Sequence, residues 1–148
     1  TASLFFFAAV CSYYLLIKGW EFLRRTGREQ KNICTVILYT NTGEYEIKAL
    51  IDTGNTLEDS LTGEPVSIID KVFAKTICKE EPLKGFHYIP YRCVGKESVM
   101  PAFVIERMCI HMEEEKWVFR PVLGIGEERI SEQDAYQMIL NPDILGGI

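Results

Sequence analysis

The sequence predicts a mainly β domain with two short helices, preceded by the end of a transmembrane helix. Three observations carry this. Residues 1–17 hold no charged side chain. Residues 18–31 then carry five Lys and Arg against two Glu, a net of +3. From residue 32 onward, short β-branched and apolar runs alternate with turns rich in Gly, Asn and Pro, the pattern of strands rather than of long helices.

The first stretch includes Phe5, Phe6, Phe7, Tyr13 and Tyr14. As a helix its 17 residues span roughly 25 Å, slightly short of a ~30 Å hydrocarbon core, as expected of the end of a span. A secretory leader carries its basic residues before the apolar run; here they follow it. A buried or amphipathic helix is the other reading, but no polar stripe interrupts the run. Lys18, Arg24, Arg25, Arg28 and Lys31 mark the flank as cytoplasmic, and Trp20 suits the interface. The expected organisation is a helix end over 1–17, a basic juxtamembrane linker over 18–31, and one cytoplasmic domain over 32–148. That domain carries 11 Lys and Arg against 19 Asp and Glu, a net of −8, which excludes nucleic acid as a partner.

Within the domain, Ile33–Tyr39 reads as a strand, Asn41–Glu44 as a hairpin turn and Tyr45–Ile51 as the return strand. Val66–Ile69 is a short strand, and Asp70 caps a helix running to about Lys79. Phe86–Val94 is a strand broken by Pro90. Gly95 to Glu97 form a tip, and Val99–His111 returns, with Pro101 suggesting an edge or bulge. Glu113–Lys116 is a polar turn. Trp117–Gly126 reads as one buried strand ending in glycines. Ser131, with Asp134 three residues on, opens a second helix through Leu140 that Asn141-Pro142 ends.

The return strand delivers a carboxylate: Ala49-Leu-Ile-Asp-Thr-Gly-Asn-Thr-Leu57. Asp-Thr-Gly after an apolar strand is the signature of the aspartic peptidases. The strand holds Asp52 at the floor of a cleft, Gly54 lets the backbone turn sharply, and the Thr53 hydroxyl, both donor and acceptor, can lock the loop to a second copy of itself. Asp, Thr, Gly and Asn are also ordinary turn residues, so the tripeptide gains weight from the Ala-Leu-Ile before it and the elements after it. The chemistry needs two carboxylates sharing one proton. This chain has one Asp-Thr-Gly and no Asp-Ser-Gly, so the partner of Asp52 is expected to be Asp52 of another chain. The hairpin around Gly95 stands where such an enzyme keeps its flap.

The five cysteines, at 11, 34, 78, 93 and 109, form no Cys-x-x-Cys pair and read as free thiols. Cys109 and His111 share one face of a strand, but two ligands do not make a zinc site; neither metal nor cofactor is expected. A Cys–His nucleophile pair from Cys93 or Cys78 with His87 or His111 lacks an activating context.

Together with these features, Thr62-Gly-Glu-Pro-Val-Ser-Ile-Ile69, Tyr88-Ile-Pro-Tyr-Arg-Cys-Val-Gly95 and Pro101-Ala-Phe103 make the whole chain resemble the C-terminal part of the sporulation sigma-E factor-processing peptidases. The resemblance implies a retropepsin-like closed β domain in a membrane-embedded, multi-pass aspartic endopeptidase of the mother cell, active as a homodimer. It implies the sigma-E precursor as substrate, a forespore-derived signalling protein as activator and the bilayer as anchor. Asp52 takes the catalytic role, with Thr53, Gly54 and Asn55 supporting its loop. Val122-Leu123-Gly124 matches the second apolar-apolar-Gly element behind that loop. Pro90, Tyr91, Arg92, Cys93, Val94 and Gly95 are the flap and substrate-binding candidates. Retroviral enzymes usually carry Ala where this chain has Asn55, whose amide could donate to the ionised carboxylate. The alternative function is a membrane-tethered interaction domain that uses the same fold without catalysis.

Overall fold

The computed structural model describes residues 2–78, 83–93, 95–131 and 134–146, and for residues 2–3, 21–31, 93 and 96 the backbone alone. Two compact units result, Thr1–Asn32 and Ile33–Ile148. The first is one helix, α1 (Ala2–Lys31). Its apolar residues, Phe5, Phe7 and Leu15 among them, are exposed, as is Trp20. Among the described residues, no helix is long and apolar enough to cross a membrane.

The second unit is mainly β, as the alternation of short runs predicts. Among the described residues, nine strands form one sheet that curls into a half-barrel. The strands are β1 (Ile33–Thr40), β2 (Gly43–Ile51), β3 (Val66–Ile69), β4 (His87–Cys93), β5 (Lys96–Val104), β6 (Arg107–His111), β7 (Glu115–Phe119), β8 (Val122–Ile125) and β9 (Met138–Leu140). Their order is β4-β5-β8-β3-β9-β2-β1-β6-β7. Every second residue of β1, at Cys34, Val36 and Leu38, points into the core beside Ile47 and Ala49 of β2. Phe103, Ile69, Leu123, Met138 and Leu140 fill the same core, and each such burial contributes about 1.5–3 kcal/mol.

Helix α2 (Lys71–Ile77) starts where Asp70 predicts it: the Asp70 carboxylate accepts from the N–H groups of Val72 and Phe73, the ordinary N-cap arrangement. Its second oxygen accepts from the Ile130 N–H at 3.2 Å, which ties the helix start to the segment after β8. The two prolines sit where a missing N–H is tolerated. Pro90 lies on the edge strand β4, and Pro101 precedes the point, Ala102, at which β5 begins to pair with β8.

Three expected elements are corrected. Val99–His111 is two strands rather than one: β5 ends at Val104 after pairing with β4 and β8, and β6 starts at Arg107 and pairs with β1 and β7 at the other end of the sheet. Trp117–Gly126 is two strands rather than one. Arg120 takes a left-handed backbone (φ 52°) before Pro121, so β7 ends at the sheet edge with Trp117 and Phe119 exposed, while β8 enters the interior between β5 and β3. The helix expected over Ser131–Leu140 is also absent. Residues 132–133 lie outside the described ones, Asp134 is left-handed (φ 52°), and Met138–Leu140 is strand β9. That apolar triplet pairs parallel with Ala49–Ile51 and antiparallel with Ile68–Ile69, a slot whose inter-strand bonds outweigh a weak local helix preference. The short helical element falls later, as a 3-10 turn over Pro142–Leu145 capped by the Asn141 side chain.

Candidate active site

Asp52 stands at the end of β2, immediately after the pair Ile51–Leu140. Its N–H donates to the Leu140 carbonyl at 3.3 Å, and its carbonyl accepts from the Asn55 N–H at 3.0 Å, closing a tight turn. The Gly54 N–H points back and donates to Asp52 Oδ1 at 2.9 Å. The side chain is thus half-buried and oriented by its own loop. Gly54 serves by size: a Cβ there would come within 3.2 Å of that same carboxylate oxygen. Thr53 and Gly54 are exposed at the tip.

Asn55 has a different task from the one its chemistry suggests. It is buried, its Nδ2 donates to the Val66 carbonyl at 3.1 Å, and its Oδ1 accepts from the Leu57 N–H. The amide is spent on fastening the loop to β3, not on the Asp52 carboxylate. Asn141 completes the fastening. Fully buried, it donates from Nδ2 to the Leu57 carbonyl at 2.9 Å, accepts from the Asp143 N–H, and donates its own N–H to the Ser67 hydroxyl. Neither Ser67 nor Asn141 stood out in the sequence. The usable signal was a lone hydroxyl inside the apolar run Val66–Ile69 and an Asn ahead of a Pro.

Facing this loop is the β4–β5 hairpin. A groove of about 580 Å³ runs between them, lined by Asp52, Gly54, Asn55, Leu57, Ile68 and Ile139 on one side and by Pro90, Tyr91, Arg92 and Met100 on the other. Glu58 lies in the same groove. Of the hairpin residues singled out from sequence, Pro90, Tyr91 and Arg92 therefore meet Asp52 across open space. Gly95 turns the tip with φ 76°. The Cys93 side chain and all of Val94 lie outside the described residues. Arg92 and Glu97, directly opposite in register, form an exposed ion pair at 2.9 Å that stiffens the hairpin little in energy but fixes where Arg92 points.

Val122, Leu123 and Gly124 form β8 and are buried. They do not touch the Asp52 turn through backbone pairing; they pair with β3 and β5, and two strands, β3 and β9, separate them from β2. Gly124 acts through space. The Met100 thioether lies where a Cβ of residue 124 would be, with Val66 close by, so the missing side chain is what lets Met100 seat beneath the groove.

A second device links the two walls. His87, the first residue of β4, places Nε2 3.1 Å from Asp59 Oδ1 and Nδ1 2.6 Å from the Gly85 carbonyl. Both neighbours are acceptors, so the imidazolium satisfies both. The Gly85 carbonyl raises the His87 pKa, burial opposes this, and Asp59 adds to the rise. Burial pushes the Asp59 carboxyl up, but the Leu61 N–H, the Thr62 hydroxyl and His87 together outweigh it and hold the pKa below its ordinary value.

Among the described residues, thiol chemistry finds no support. Burial raises the pKa values of Cys34, Cys78 and Cys109, away from the thiolate that a nucleophile requires. The groove instead offers the Asp52 carboxylate, oriented by the Gly54 N–H, facing the hairpin.

The family model for sporulation factor SpoIIGA, Peptidase_U4, matches residues 1–144. A protein of Bacillus thuringiensis subsp. kurstaki described as a sporulation sigma factor-processing peptidase is 29% identical over 124 residues, covering 69% of this chain and 77% of that protein. No solved structure matches.

Proposed function

This chain belongs to the SpoIIGA family of sporulation peptidases, and from that premise we propose that it is an aspartic endopeptidase whose complete site needs two chains. As a family member it is a protease of sporulation. The observation that carries the aspartic reading is the placement of Asp52: the Gly54 N–H orients its carboxylate, and it opens into a groove closed on the far side by Pro90, Tyr91 and Arg92. Paired with a second Asp52, one carboxylate ionises and draws a proton from water while the protonated one donates to the scissile carbonyl. Thr53, exposed at the loop tip, is positioned for a reciprocal contact between the two loops. Val122–Gly124 supports the site from beneath, and the β4–β5 hairpin serves as the flap of a retropepsin-like domain.

By analogy with the sigma factor-processing relative, the substrate is a sigma factor precursor, the sigma-E precursor in this reading, with a forespore-derived protein as activator. Helix α1 supplies the anchor: its apolar residues are exposed all along 4–17, and the basic stretch to Lys31 holds residues 32–148 on the cytoplasmic side. The test is co-expression of the full-length protein with the precursor. Asp52→Asn and Asp52→Ala are expected to abolish propeptide removal at unchanged protein level and membrane insertion. Normal processing by either variant would leave the non-catalytic interaction domain as the reading.

A further inference from the structure

At the other end of the sheet from the β4–β5 hairpin lies a cluster that peptidase chemistry does not use. Strand β6 is paired on both sides, with β1 and with β7, so its side chains are held on a rigid frame. Cys109 and His111, two residues apart, share a face, and the register sets Glu115 of β7 directly opposite His111. The sequence spacing supplied two ligands; the hairpin supplies the third. One ligand atom from each of Cys109, His111 and Glu115 lies within 4.8 Å of the other two.

The His111 ring turns one nitrogen toward the set: its Nδ1 stands 3.4 Å from Glu115 Oε1, so Nδ1 is the nitrogen that can share an ion with that carboxylate, and Nε2, buried, then carries the ring proton. We propose that Cys109, His111 and Glu115 form a zinc-class metal site with three protein ligands and an open fourth position. Thiolate, imidazole and carboxylate together select a borderline-soft ion such as Zn²⁺ over Mg²⁺ or Ca²⁺. Bonds of about 2.0–2.3 Å set tetrahedral ligand atoms about 3.3–3.8 Å apart, so the three atoms close in by up to about 1.5 Å, which the exposed, flexible Glu115 side chain supplies. Cys109 gives up its thiol proton to solvent on binding. The metal would staple the exposed edge hairpin β6–β7, and the fourth position would take water or a donor from a partner.

The test titrates the full chain with Co²⁺, which reports thiolate ligation by a sulfur-to-metal charge-transfer absorption, and then with Zn²⁺ as competitor. The site predicts one equivalent bound, the charge-transfer band, its loss on adding Zn²⁺, and a higher melting temperature with Zn²⁺. Cys109→Ser should abolish the band. Glu115→Gln, at an exposed position that leaves folding intact, should weaken binding at least ~10-fold, the loss that removal of even an outer-shell partner brings. Asp52→Ala should bind as wild type, so the result stands apart from the peptidase reading. A band that is absent, or that persists in Cys109→Ser, or binding unchanged in Glu115→Gln, overturns the site.

Discussion

The Asn141 side chain donates to the Leu57 carbonyl at 2.9 Å across 84 residues of chain, joining the segment after β9 to the loop that carries Asp52. Removing it takes from the Leu57 carbonyl one of its two donors, the Val66 N–H remaining at 2.8 Å, and leaves the N–H of the exposed Asp143 without its acceptor. A typical intramolecular hydrogen bond contributes about 0.5–1.5 kcal/mol. Asn141→Ala is therefore expected to lower unfolding free energy by about 1–3 kcal/mol for the two bonds in a denaturant titration. Processing should fall further than the loss of folded protein explains, because the Asp52 turn loses one of its two fastenings. Asn141→Asp, which keeps the acceptor for Asp143 but not the donor for Leu57, should separate the two effects.

Gly124 and Met100 make a second prediction. Gly124→Ala places a methyl on the Met100 thioether, and the flexible Met side chain yields more readily than backbone. Its escape leads into the groove that it already lines. The expected result is a modest stability loss, about 1–3 kcal/mol as for other overpacked cores, with a raised KM for a propeptide substrate. Adding Met100→Ala to Gly124→Ala should relieve part of both. An unchanged KM would show that Met100 does not border the bound peptide.

Much of the architecture was legible because it follows from local rules. Alternation over Ile33–Tyr39 gives β1, Asp70 gives the start of α2, and Gly95 gives a hairpin tip. The misreadings share one cause. Met138–Leu140 has no strong preference of its own and becomes a strand because β2 and β3 offer it partners on both sides. Trp117–Gly126 looks like one apolar run, and its division at Arg120-Pro121 depends on which strands lie nearby. At the site, Asp52 and the hairpin residues could be found by motif and order. Asn141 and Ser67 leave only a faint local signal, and the Asp59–His87 contact leaves none, since each acts through a partner remote in sequence.

The Asp59–His87 contact sets a pH dependence. The His87 pKa is raised on folding, so its contribution is full below the ordinary histidine value and is lost as pH rises through the raised one. The Asp59 pKa is lowered, so its contribution is present above the ordinary carboxylate value and is lost as pH falls through the lowered one. Between those limits the hairpin base is latched to the turn that follows the Asp52 loop. His87→Gln should flatten the alkaline side of the stability–pH curve and cost about 1.5–3 kcal/mol in the acid-to-neutral plateau, as expected for a hydrogen bond to a charged group. Urea midpoints from pH 5 to 9 measure both; an alkaline limb of the same slope in the variant would assign that dependence to other groups.

The last prediction separates a two-chain site from a one-chain site. Glu58 shares the groove with Asp52, so a single chain contains two carboxylates at that place. If the active pair is Asp52 with its counterpart, an Asp52→Ala chain mixed in equal amount should reduce processing to about half, since half of the intact chains then sit in mixed dimers, and Glu58→Gln should cost little. If Glu58 completes the site within one chain, mixed dimers keep the activity of their intact member and Glu58→Gln is inactive. Under the proposed two-chain site, activity would also be a matter of population, and an activator on the far side of a membrane would need only a difference in affinity for the paired and unpaired states. Moving from one to ninety-nine per cent paired takes ~5.5 kcal/mol of such preference, within reach of a protein interface. Residues 32–148 alone should then be weakly active and mostly monomeric by sedimentation. Fusion to a constitutive dimerisation module should raise processing without any activator. A fusion that is demonstrably dimeric yet no more active than the isolated domain would mean that pairing is not the step under control.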